Sequence, residues 1–114
     1  MSGVSYDPTK KIQFKVVSQS PHTCAWRLWK ALAGATEWTR VDQGTKDTPQ
    51  KEYDPPPAGA QLLYSLLIGG NANTDWKIEV RVLQDGNPLA CAPQIETGFM
   101  TNTIARRDTA FTLL

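Results

Sequence analysis

Few residues of this chain have the type and spacing for chemistry. His22, the sole histidine, stands two positions from Cys24, which places both side chains on one face if the segment is a strand. A nucleophilic thiol needs an imidazole held within hydrogen-bond reach, a geometry that same-strand neighbours seldom provide, and no Gly-x-Ser-x-Gly elbow offers a serine instead. The pair reads as a turn histidine beside a core cysteine. With Cys91 as the only other thiol, the set is also too small for a zinc cage. Two buried thiols, or one disulfide in an oxidising compartment, are expected.

The carboxylates give no stronger lead. Nothing in the spacing of Glu37, Glu52, Glu79 and Glu96 singles out an acid and base pair for glycoside hydrolysis. Glu79 alternates with Lys77 and Arg81, as on a wet strand face where charges pair across strands. Gly69-Gly70-Asn71 lacks the lysine and the following helix of a phosphate loop and reads as a hairpin turn. Asn71, Asn73 and Asp75 put oxygen donors at alternate positions, without the twelve-residue pattern of a calcium loop. No catalytic residue, metal or cofactor is expected.

The four tryptophans, Trp26, Trp29, Trp38 and Trp76, are the one surplus. Trp26 and Trp29 are an odd number apart, so in a strand they point to opposite faces and one is less buried. Trp38 and Trp76 read as core or rim. An exposed tryptophan can stack on a sugar ring or anchor a protein partner. The candidate ligand site is therefore Trp29 with the polar loop groups Asn71, Asn73 and Asp75.

Those residues need a scaffold, and the pattern around them is β. Ile12, Phe14 and Val16 alternate with polar neighbours, and Trp76, Ile78, Val80 and Val82 alternate with Lys77, Glu79 and Arg81, a period of two that no helix would show. Residues 60–68 form a nearly continuous apolar run bounded by glycines, the signature of a central strand buried on most of both faces. Residues 23–33 fit a strand and also fit a capped helix. The β-rich surroundings decide for the strand. Residues 36–41 pair with it across 33–35, while 45–57, closing on three prolines, form a crossing loop or edge segment. Asp85-Gly86 supplies a tight turn from which 88–93 return, and 95–101 and 109–113 are the last strands, with 102–108 between them.

Seven to eight short strands joined by Gly, Pro, Asn and Asp turns predict an all-β, antiparallel β-sandwich, immunoglobulin-like or jelly-roll-like in architecture. Residues 1–10 read as a polar lead-in and 11–114 as a single domain. Cys24, Trp38 and Cys91 are spaced in a way similar to the cysteine, tryptophan and cysteine of immunoglobulin domains. Leu89 stands where that family has its corner tyrosine, so the term describes architecture alone.

Composition narrows the partners. Twelve Lys and Arg against eleven Asp and Glu leave a net charge of +1, too little field to hold a nucleic-acid backbone. No apolar run is long enough for a membrane span, and none at the N-terminus reads as a signal peptide, which slightly favours a cytoplasmic location. The expectation is a non-enzymatic binding module that presents a sheet face or loops to a protein partner or to another copy of itself. A glycan-binding domain is the alternative, and a small carboxylate hydrolase would need two acids converging in one cleft.

Overall fold

The computed structural model describes residues 2–19, 21–46, 48–89 and 95–114. Among them the chain forms strands and no helix: β1 (Ser2–Val4), β2 (Ile12–Ser18), β3 (Thr23–Ala31), β4 (Thr39–Gly44), β5 (Thr48–Tyr53), β6 (Gln61–Gly69), β7 (Thr74–Gln84), β8 (Asn87–Pro88), β9 (Ile95–Met100) and β10 (Ile104–Leu113). One sheet, here sheet A, has the order β1-β10-β6-β3-β4. The other, sheet B, runs β5-β2-β7, with β8 and β9 both on the far side of β7. All pairs are antiparallel except β1 with β10. This is the β-sandwich that the alternation and turn residues predict.

The sheets face each other through the inward half of each alternation. Phe14 of sheet B enters between Trp26 and Tyr64 of sheet A, with ring centroids 5.3 and 6.2 Å away, so one side chain contacts aromatic groups across the whole layer. Leu28, Leu62, Leu66, Ile68, Ile78, Val80, Val82, Met100 and Phe111 are among the residues packed around it in the core. The β7–β8 turn is tight because Asp85 and Gly86 take φ of 52° and 74°, a conformation that Asp tolerates and Gly adopts freely.

Within 23–33 the chain is strand from Thr23 to Ala31, and β3 bonds β6 along its whole length. Four differences from the sequence reading have local causes. Among the described residues ten strands replace the expected seven to eight, because short β1 and edge strand β5 carry little hydrophobic alternation. Val4 is buried and β1 pairs with β10 at residues 111–113, within the stretch read as a polar lead-in. β4 starts at Thr39, which leaves Trp38 in the β3–β4 connection at 36% exposure instead of in the core or its rim. β10 starts at Ile104, taking in most of 102–108. The return of 88–93 is described only at Asn87–Pro88, and Cys91 lies outside the described residues.

The central strand carries the difference that matters most. β6 is in the middle of sheet A as expected, but only one of its faces is covered: Leu62, Tyr64, Leu66 and Ile68 are buried, while Leu63 and Ser65 are half-buried and Leu67 is 48% exposed. Its apolar run reads as doubly buried because the second face is apolar without being packed.

Candidate functional site

The uncovered face of sheet A is built row by row from the strand register. Trp29 is opposite Leu63, Arg27 opposite Ser65 and Ala25 opposite Leu67. On the other flank of β6, Ala110 is opposite Leu63, Asp108 opposite Ser65 and Arg106 opposite Leu67. Directly paired residues share a face, so these rows form one continuous surface. Trp38 overhangs it from the β3–β4 connection, and the result is a groove of about 800 Å³ lined by Trp29, Trp38, Leu63, Leu67, Arg27 and Asp108 among others.

Charge divides this groove unevenly. Arg106 and Asp108 neutralise each other, their Nε and Oδ2 atoms 3.1 Å apart. Arg40 lies over the Trp29 ring at 5.9 Å from its centroid, a cation–π contact at the groove margin. Arg27 is exposed on the same face and has no ion-pair partner among the described residues. The surface offers two indole faces and two leucines around a guanidinium that is open to an anion.

The polar loop groups lie elsewhere. The β6–β7 turn holds Asn71 and Asn73, all exposed, with Asn73 at φ 61° and its N–H bonded to the Met100 carbonyl. Thr74 donates to the Asn71 carbonyl at 2.6 Å, and His22 Nε2 is 3.0 Å from the Thr74 hydroxyl, so the histidine braces this turn. Asp75, the second residue of β7, lies on the outer side of sheet B, opposite Phe99. Gly69 pairs with Thr23 and Leu63 with Trp29, six positions along the strand, or roughly 20 Å. Trp29 and the Asn71, Asn73 and Asp75 cluster therefore do not converge on one ligand. No group of three metal-ligating side chains occurs among the described residues, and no helix among them is long and apolar enough to cross a membrane.

One buried carboxylate escaped the spacing argument. Glu96 of β9 lies at the sheet–sheet seam, where Tyr64 and Thr109 donate to Oε2 and Arg107 Nη1 donates to Oε1 at 3.2 Å. Arg107 also covers the Trp76 ring, 5.2 Å from its centroid. Burial, and then the carboxylate beside it, raise the Tyr64 pKa far above that of an ordinary phenol. Both oxygens of Glu96 accept from protein donors, so the group fastens the sheets together.

On the opposite side of the sandwich, Tyr53 of β5 donates to Asp42 of β4 at 2.7 Å, joining the two sheets. Burial opposes ionisation of Asp42, but the bonds from Tyr53 and the Gln43 N–H, with Lys51 nearby, outweigh it and hold the carboxyl below its usual value. A second opening of about 450 Å³ lies beside this link, lined by Lys11, Lys30, Arg40, Glu52 and Asp54, which carry both signs of charge. Compared with family models, curated proteins and solved structures, the chain matches none of them.

Proposed function

We infer that the protein is a non-enzymatic binding module whose ligand surface is the outer face of sheet A. The observation that supports this is the apolar face of β6 and its neighbours, Leu63 and Leu67 beside Trp29 and Trp38, left uncovered in an otherwise densely packed sandwich. The favoured ligand is a protein segment that lays an apolar side chain between the tryptophans and a carboxylate against Arg27. Aromatic anchors in a concave apolar patch with one unsatisfied charge are the usual energetic centre of such contacts.

A glycan is the second reading, favoured by two part-exposed indoles above Gln43, Ser65 and Asp108. A displayed library of random peptides and a glycan array, each probed with wild type and Leu67→Glu, separate the two. Peptides rich in an aromatic or Leu next to Asp or Glu, retained by wild type and lost from L67E, are the expected result. Retention of glycans alone supports the second reading, and identical retention by both proteins defeats the assignment of the face.

A further inference from the structure

Two long strand edges lie open on the same side of the molecule. Among the described residues β9 pairs with β7 alone, and β10 has β1 beside it only at 111–113, so 104–110 has nothing on its outer edge. Neither strand contains proline, whereas the edge strands β5 and β8 carry Pro49 and Pro88, and the β4–β5 side is tied by Tyr53 and Asp42. Open edges of this length accept another strand unless something prevents it. The two edges are also stacked, because Arg107 Nη2 donates to the Thr97 carbonyl at 3.0 Å across the seam. A line through the sandwich at Arg107 in sheet A thus emerges near Thr97 in sheet B.

We propose that a second copy of this chain adds to both edges about a twofold axis along that line, joining the two sandwiches through β10–β10 and β9–β9 pairing. An antiparallel pair centred on one residue sets the residue before it opposite the residue after it in the partner. On β10 this register puts Arg106 opposite Asp108 of the other copy, twice over. On β9 it puts Ile95 opposite Phe99 of the other copy, also twice, and these are two of the most exposed large apolar side chains, at 48% and 53%. Thr97 meets its own counterpart, a favourable cross-strand pair. Arg107 also faces its counterpart, but each guanidinium is turned inward onto its own Glu96 and Trp76.

The neighbouring registers are worse, because the like charges they bring together are solvent-facing. Centring on Arg106 or Asp108 sets like charges opposite each other, and a shift by one residue turns the buried face of one copy outward. The proposal rests on the two edges and not on what fills the groove, although Arg106 and Asp108 border that groove, so in the dimer the grooves of both copies meet across the axis.

Sedimentation velocity from micromolar to millimolar protein tests it, with a mass of twice 12.6 kDa expected at the upper end. Arg106→Asp and Asp108→Arg each reverse a pair that occurs twice and should weaken dimerisation roughly tenfold or more, while the double variant R106D/D108R restores it. Phe99→Glu should also give monomers. The Arg106 and Asp108 side chains are 69% and 44% exposed and outside the core, so circular dichroism of the variants should match wild type. A mass of 12.6 kDa throughout overturns the proposal. So does a dimer that the single reversals leave intact, and so does one lost in L67E alone, which would place the contact on the groove.

Discussion

Tyr64 and Glu96 show how single residues hold this sandwich together. The phenol contributes both to the apolar core, where it is fully buried, and to a carboxylate that accepts from Thr109 and Arg107 as well. Ionising Tyr64 would set a phenolate against that carboxylate in a poorly solvated place, and Tyr53, bonded to Asp42, stands in the same relation on the other side. Burial pushes Tyr6 up to about 12 as well, its hydroxyl donating to the Pro56 carbonyl at 2.7 Å. All three tyrosines of the chain are thus raised above the value of roughly 10 that they have when unfolded. A raised folded pKa contributes stability that is complete below the unfolded value and is lost as pH rises toward the folded one. An absorbance titration of phenolate should therefore show no tyrosine ionising near pH 10 in the native protein, and all three should ionise together when the fold gives way at higher pH. Asp42 has the opposite sign: its lowered pKa contributes above roughly pH 4 and is lost as pH falls below that.

Elements depend on pairs that sequence spacing does not reveal. Gly98 of β9 is opposite Trp76 of β7, and a Cβ there would come within 2.5 Å of the indole. Gly44 has the same relation to Trp26 in the β3–β4 pair, at 2.6 Å. Each glycine makes room for a large ring on the next strand. Gly98→Ala should destabilise the protein by about 1–3 kcal/mol through overpacking, measured as a lower urea midpoint at unchanged slope. The strong alternations of β2 and β7 were legible in the sequence, because polar and apolar residues there separate by face. β10 was legible only at its end: Arg107 points inward to Glu96, so 106–108 reads as three charged residues with no buried face. β1 is three residues long and pairs with the far end of the chain, a contact that no local pattern encodes. The odd spacing of Trp26 and Trp29 put them on opposite faces, one less buried than the other, and the structure leaves Trp29 as that one. Its partners were not legible, since Leu63, Leu67 and Asp108 join it only through the register of β3, β6 and β10.

At the scale of the whole molecule, the sandwich has two outer faces of different character. Sheet B presents Lys15, Lys77, Glu79 and Arg81 to water, with Glu79 and Arg81 bonded to each other, and exposes large apolar side chains only at its β9 edge, Ile95 and Phe99. Sheet A presents leucine and tryptophan around Arg27. On the function proposed above, that asymmetry marks the layer that a ligand covers. The four tryptophans divide along the same line: Trp26 and Trp76 are at 2% and 3% exposure, while Trp29 and Trp38 border the groove. Acrylamide quenching of indole fluorescence, with and without a peptide selected on the wild-type protein, is the most direct measurement of this account. In free protein two indoles should be quenchable and two shielded, and saturating peptide should shield the accessible pair, an effect absent in Trp29→Phe/Trp38→Phe. Full binding with quenching unchanged would place the ligand away from sheet A and contradict the assignment of its outer face.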